Sequence, residues 1–488
     1  MLSALLKYVE PTIPLEEISI MDTQTPDSKH GLEDISIKKT QTIGRVYPYL
    51  RIDGYTFNFH DITYMEIDMS GALPKYNFTI VDTAGVFAGS HLPKSDIIAS
   101  LYIKSSNDEV YNPIRNDIYI TKVIPMGKAT EDLAADGKGI TYSIRGILFI
   151  PLINSAARSV VLSGTSKESL EMIARQLGLG FVTNESTTYD KMNWIKSEST
   201  FKLVDEITTH SYKDDNSFYT WFIDQYYCLN FINIADILNS ADEPIEKIFP
   251  NYIGHINNLM NPNEGISKEK INNIPAEFVL SNHSALIGLD TFISSYQIKA
   301  KQGTILNDFS RKHRLYFYDP DEDRDNLKNN FIEHSIYSYD IYKIKNDSIS
   351  KSERYYNGGI DYHNTHDNYI AAKLINKKNL AELDQINLIV ETNEMNYHII
   401  RGMRLPVVIM KQGLDTKNED AQEPNPTSKS EELIQLEKNL QFNINTMLSG
   451  MYYVKDIKYV YNLYSGDRFF FKTILTLTKN VWSDKITE

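Results

Sequence analysis

The chain has 488 residues with a formal net charge of −14, one cysteine and 32 tyrosines. It is long enough for two to four domains whose cores need no covalent staples. Its negative charge argues against wrapping nucleic acid or adhering to anionic lipid, which need clustered Lys and Arg, although an acidic wall can still let DNA pass by repulsion.

In chain order, residues 1–43 mix charges with Pro11, Pro14 and Pro26 and have few periodic runs, which predicts an extended N-terminal arm. The start, MLSALLKYVEPTIPLEEIS, lacks a basic leading region and a small-residue cleavage site, so it does not read as a signal peptide. From Tyr47 the pattern turns to β. YLRIDGYTFNF places Asp53-Gly54 between two alternating runs, a hairpin signal because both residues tolerate positive φ. ITYMEIDMS, KYNFTIVD, DIIASLYIK, NDIYITKVI and ITYSIRGILFI follow as strands, enough for a small antiparallel barrel or sandwich.

The period changes after Pro151. In GTSKESLEMIARQLGLGF, Thr165 and Glu168 fit a capping box, Leu170, Ile173, Ala174 and Leu177 share one helix face, and Gly178 suits the left-handed C-terminal position. A second helix is expected over Phe201–Thr209. The stretch DDNSFYTWFIDQYYCLNFINI, residues 214–234, predicts a third, capped by Asp215 or Asn216. Phe218, Trp221, Phe222 and Gln225 would form its face, with Leu229–Ile234 extended after it. Cys228 lies within this block with no His or Asn partner to nominate, and reads as an ordinary buried thiol.

Residues 241–284 form a polar, Asn-rich connection of the kind that packs on a partner or covers a neighbouring domain. Strand patterns return with TFISSYQIKA, RLYFYD and IEHSIYSYDIYKI, then YIAAKLINKK, NLIVET, YHIIRG and LPVVIM. A charged excursion over 411–441 precedes a closing hairpin, GMYYVKDIKYVYNLY and RFFFKTILTLTKN, turning at Ser465-Gly466-Asp467. No stretch of about eighteen apolar residues occurs, so no transmembrane helix is predicted. The chain reads as α+β, mainly β: a β region, a helical block, and a second β region.

Chemistry is sparse. Asp319, Asp321, Asp323 and Asp325 alternate like the start of a calcium loop, but Arg324 stands where the turn needs Gly and Asn330 where a bidentate Glu would close the site, so a solvated acidic turn is expected. His363 and His366 with Asp361 or Asp367 have loop-like spacing and no zinc-protease helix motif, which disfavours a metal there. No phosphate loop, dinucleotide fingerprint or nucleophile elbow is present. Phe218, Trp221 and Phe222 could stack bases or sugars, but Asp214, Asp215 and Asp224 stand where basic residues would be needed for nucleic acid, and packing is the stronger reading. No catalytic, cofactor-binding or metal residue is nominated, and no cofactor.

Several segments in succession, YSIRGILFIPLINSAARS, GTSKESLEMIARQLGLGF, FKLVDEITTH, NSFYTWFIDQYYCLNFIN, MYYVKDIKYVYNL and RFFFKTILTLTKNVW, resemble the baseplate hub proteins of contractile-tailed phages. That group includes late control protein D and the amino-terminal half of type VI secretion spike proteins. The resemblance spans most of residues 45–482 and rests on order and texture. It implies two tandem tube-like antiparallel β-barrels with a helical insert between them. The divisions would be an arm over 1–43, a first barrel over 44–155, a helical block over 156–235, a connection over 236–285, and a second barrel over 286–482 with the insertion 411–441.

It further implies a non-enzymatic homotrimer whose six barrels form a ring between a sixfold tail tube and a threefold spike. The partners would be further copies of the chain, the tail tube protein, the central spike protein and other baseplate proteins. DNA would pass transiently without specific binding, and no stable membrane association is expected. The protein would sit in the virion tail baseplate after assembly in the host cytoplasm, with lysozyme and spike functions on separate proteins. Carboxylates should outnumber basic groups on the lumen wall. Two readings from other classes stay open: a virion-associated cell-wall or polysaccharide hydrolase, and a β-type carbohydrate-binding module.

Overall fold

The computed structural model describes residues 46–52, 55–82, 85, 87, 97–105, 114–126, 140–155, 160–195, 198–239, 280–282, 292–300, 313–318, 331–336, 352–356, 366, 368–384, 386–393, 395, 399–410, 445, 447–465 and 468–479. The N-terminal arm, Asp53-Gly54, the acidic turn at Asp319–Asp325, His363, the 411–441 excursion and the Gly466-Asp467 turn lie outside these. The fold is mainly antiparallel β with four helices among the described residues, as the composition and patterning predict.

The first region contributes β1 (Val46–Ile52), β2 (Tyr55–Phe57), β3 (Ile62–Asp68), β4 (Lys75–Asp82), β5 (Ile98–Ser105), β6 (Ile114–Met126) and β7 (Ile140–Leu148). All pair antiparallel, in the order β3-β4-β7-β6-β5-β1-β2. The middle block follows with β8 (Val161–Gly164), α1 (Ser166–Leu177), β9 (Gly180–Thr183), β10 (Met192–Ile195), α2 (Thr200–Thr209), β11 (Tyr219–Ile223), β12 (Cys228–Asn233) and α3 (Ile234–Asn239).

The second region supplies β13 (Leu280–Ser281), β14 (Ile293–Ala300), β15 (His313–Tyr318), β16 (Phe331–Ile336), β17 (Ser352–Tyr356), α4 (Tyr369–Leu383), β18 (Ile386–Thr392), β19 (Arg404–Val408), β20 (Gly450–Ser465) and β21 (Arg468–Thr478). Three of these, β15, β16 and β17, form a separate small sheet. The others run β14-β18-β21-β20, with β19 and β13 continuing from β20. One isolated bridge between Ser281 and Phe292 brings β13 back beside the start of β14, but no ladder completes a ring in either region among the described residues.

The two regions are fused. β20 pairs antiparallel with β3 from Lys458–Asp68 to Asn462–Tyr64, so one 13-stranded sheet runs through both. One face of it is core: Met65, Ile67, Tyr76, Phe78, Ile144, Tyr459, Tyr461, Phe471, Leu475 and Val390 are buried in a single cluster. The alternation of pleat residues sets this, since a register fixed by burial on one face leaves the next residue on the other.

The capped helix forms as the sequence predicts. Thr165 accepts from Glu168 N while Glu168 returns a bond to the Thr165 backbone, and Gly178 takes φ 72°. Leu170, Ile173 and Ala174 are buried beneath it, with Leu177 packed at the rim. Three expectations are overturned. Residues 214–234 do not hold a helix: Tyr219–Ile223 and Cys228–Asn233 are the arms of a β-hairpin, and Asp215 and Asn216 cap nothing helical. YIAAKLINKK is helical, within α4, and not a strand. In YHIIRG, the described residues Ile399–Gly402 approach and enter a turn, with Gly402 at φ 87°.

Candidate functional site

The feature that organises the molecule is the junction where the middle block meets both β regions. At its centre is the β11–β12 hairpin. β12 pairs parallel to β9 on its other side, and every residue of β12 is buried. The hairpin turn has no glycine; Asp224 does that work. Its carboxylate accepts from Tyr226 N (2.9 Å), Cys228 N (3.0 Å) and Asn230 Nδ2 (2.9 Å), an Asx-type turn. Tyr227 adopts φ 58° there and its carbonyl accepts from Gly180 N at 3.0 Å. Burial pushes the Asp224 carboxyl up to about 6, against the donors that favour its charge.

This turn grips the first region. Asn116 Nδ2 donates to Gln225 O at 2.7 Å, Asp117 N donates to the Tyr227 hydroxyl at 2.7 Å, and Ile223 N donates to Ala72 O at 2.8 Å. The receiving strand is itself held by a buried ion pair: Arg115 donates to both oxygens of Asp117 at 2.8 and 3.0 Å, and Ser100 Oγ adds a bond at 2.7 Å. Trp221 donates its indole N–H to Asp205 at 3.2 Å and packs edge-on against Phe201, which fixes the hairpin to α2. Cys228 is buried, and burial pushes its thiol well up, in keeping with the inert thiol expected.

The opposite side of the hairpin grips the second region through Arg401. Its guanidinium donates to Met69 O (2.9 Å) and Gly71 O (2.5 Å) in the first region and to Lys455 O (2.7 Å) on β20. It lies 4.4 Å over the Phe222 ring of the hairpin and 3.6 Å from Asp456. One side chain therefore ties three parts of the chain together. Burial opposes the charges of both Arg401 and Asp456 and each stabilises the other's. Sequence reading passed over Arg401; the available signal was an arginine set in an apolar run between Ile399-Ile400 and Met403, with Arg404 following.

A third contact joins α2 to α4. The last carbonyls of an α-helix have no partner within it, and here α4 supplies them. Asn376 Nδ2 lies 3.2 Å from Thr208 O and 2.7 Å from Thr209 O, while its Oδ1 accepts from Tyr219 N at 2.7 Å. His366 Nε2 meets His210 O at 2.9 Å, and the His210 ring stacks on Tyr369 with centroids 3.7 Å apart. Burial pushes His210 down to about 4. His366 is thus built into a helix-capping contact. Among the described residues no group of three or more His, Cys, Asp or Glu could hold a metal, and no helix is long and apolar enough to cross a membrane.

The half-exposed face of the fused sheet is polar and crosses the β3–β20 seam. Glu66 accepts from Tyr64 (2.7 Å) and Asn77 (3.2 Å) and lies 3.5 Å from Lys458, which also faces Asp68 at 3.6 Å. Lys472 and Glu391 pair at 3.3 Å further along, and Arg145 lies opposite Asn77 on the same face.

No protein-family model matches the chain, and no curated protein sequence matches it. Solved structures similar to it include the tail protein from Neisseria meningitidis MC58, with 11% identity, TM-score 0.45, and coverage of 89% of this chain and 97% of that one. Another is the 43 kDa tail protein of prophage MuSo2 from Shewanella oneidensis, with 8% identity, TM-score 0.47, and coverage of 89% and 98%. A third is the half-lidded PdpA-VgrG complex of Francisella, with 9% identity, TM-score 0.41, and coverage of 93% and 62%. At TM-scores below 0.5 these likenesses fix neither family nor function.

Proposed function

We infer that the chain is a structural hub of a contractile phage tail, acting by assembly and not by catalysis. Three copies would form a pseudo-sixfold ring joining the hexameric tail tube to the trimeric central spike and leaving a passage for DNA. The segment order that resembles baseplate hub proteins supports this reading. The structural observation that carries it is the β3–β20 ladder, by which one chain presents two β regions side by side as parts of one sheet. Each region would be one of the six units, corresponding to the divisions 44–155 and 286–482, with the residues from 156 to 235 and α4 as the brace between them.

The polar face that crosses the seam would suit the wall of a passage, because its carboxylates Glu66, Asp68 and Glu391 are already engaged with Lys458 and Lys472. The expected excess of carboxylates on a lumen wall is not carried by the described part of that face, where Glu66, Asp68 and Glu391 stand with Lys458, Lys472, Arg145 and Lys122.

The test is reconstitution. Mixed with a tail tube protein and a central spike protein from the same tail, the chain is expected to form a complex containing three copies on the common axis. A chain that binds neither, or that turns over peptidoglycan or capsule polysaccharide, contradicts the reading.

A further inference from the structure

The Asp224–Tyr227 turn meets the core face of the fused sheet at its seam. Tyr459 on β20, Ile67 on β3 and Tyr76 on β4 stand directly opposite one another on neighbouring strands, and all three are fully buried. Residues in such a row point to one face, so a tyrosine from each β region projects from the same side of the sheet with only Ile67 between them. Both are aimed at the turn. The Gln225 side chain hydrogen-bonds the hydroxyls of Tyr459 and Tyr226. Burial raises the Tyr76 phenol well above its usual range, and Tyr227, Asp117 and Asp224 push it the same way, the electrostatic mark of a hydroxyl facing this turn.

Three oxygens at this contact have no hydrogen-bond partner among the described residues: Tyr76 Oη, Asn116 Oδ1 and Gln225 Oε1. Their residues are 0%, 0% and 3% exposed, so bulk solvent does not reach them. Asn116 cannot turn over to relieve this, because its Nδ2 is held by Gln225 O at 2.7 Å. Nor can the three satisfy one another, since two amide oxygens only accept and one hydroxyl has a single proton to give. The groups around them are already engaged: Asp117 N with the Tyr227 hydroxyl, Arg115 with Asp117, and the Asp224 carboxylate with Tyr226 N, Cys228 N and Asn230 Nδ2. Buried polar atoms left bare are costly, and folded proteins rarely keep them.

We propose that this junction is a binding site for one internal water, which donates its two protons to Asn116 Oδ1 and Gln225 Oε1 and accepts a hydrogen bond from the Tyr76 hydroxyl. Two acceptors and one donor are the set that a single water meets, and about three bonds is what a buried water makes. A bound cation fits less well, because it offers nothing to the Tyr76 proton. The water links β4, β6 and the hairpin turn, and through Gln225 it reaches Tyr459 on β20. Solvent is then a built-in part of the joint that fastens the hairpin to both β regions, whatever number of copies assembles.

The test is a crystal structure of the full chain at a resolution that shows ordered water, with a second crystal soaked in rubidium chloride. One peak within hydrogen-bond distance of Tyr76 Oη, Asn116 Oδ1 and Gln225 Oε1 is expected, with no anomalous signal from rubidium. An anomalous peak there means a cation site and overturns the proposal. So does a dry joint, whether no peak appears or Gln225 bonds Asn116 directly. A double-mutant cycle in urea then asks whether the water is shared. Tyr76→Phe and Gln225→Met each remove one of its partners, and the double variant is expected to lose at least about threefold less in folding equilibrium constant than the product of the two single losses. Losses that simply multiply overturn the shared bridge.

Discussion

Trp221 illustrates how much one side chain holds at the junction. It is 6% exposed, packs edge-on against Phe201 and donates to Asp205. Trp221→Ala is expected to cost about 3–5 kcal/mol in chemical unfolding; a loss under about 1 kcal/mol would contradict the packing described. Gly146 is a second such point. A Cβ there would meet Ile118 Cγ2 and lie 2.8 Å from Tyr119 O, so Gly146→Ala should cost about 1–3 kcal/mol in the same assay. His210 adds a pH dependence. Burial holds its pKa near 4, against about 6.5 in an unfolded chain. The unfolded state binds the proton first, so this stability is full above about pH 6.5 and falls as the pH drops toward 4. Asp224, raised to about 6, has the opposite sign: its contribution is present at low pH and lost as pH rises through that value. His210→Phe should therefore flatten the acid side of the stability profile, by about 3 kcal/mol at most between pH 7 and 4. Parallel profiles for wild type and variant would count against the assignment.

At the scale of elements, the contacts of Arg401 make a sharper claim than burial alone. Removing it strands the carbonyls of Met69, Gly71 and Lys455 and leaves the largely buried Asp456 with Lys455 alone, at 3.7 Å. Arg401→Met is expected to lose about 3–5 kcal/mol, and urea unfolding followed by separate probes should show the two β regions no longer melting together. A single coincident transition in the variant would contradict the three-way role. Much of this framework is legible in the sequence, because one-sided strands keep their period of two and α1 announces itself through Thr165, Glu168 and Gly178. The hairpin is not. β12 is buried on both faces, which erases the alternation that marks a strand, and its turn is made by Asp224 with an uncommon positive φ at Tyr227 in place of glycine. α4 is obscured for a related reason. Asn376 and Asn379 are buried within its apolar stripe beside Ala372 and Ile375, so its helical period reads as broken. Asn376 is there to cap α2, a use that only the tertiary structure supplies. The aromatic stretch was expected to pack and it does, as strands and not as a helix.

For the whole molecule, the β3–β20 ladder and the brace make the two β regions one mechanical unit, with Arg401, the Asp224 turn and Asn376 fastening the middle block to both sides. A ring assembled from such units would carry load through backbone ladders, with surface ion pairs contributing little. The most direct measurement is an electron cryomicroscopy map of the assembled tail with this chain located in it. The account predicts three copies encircling the axis between tube and spike. A chain found at the periphery, or in a number other than three on the axis, would contradict it.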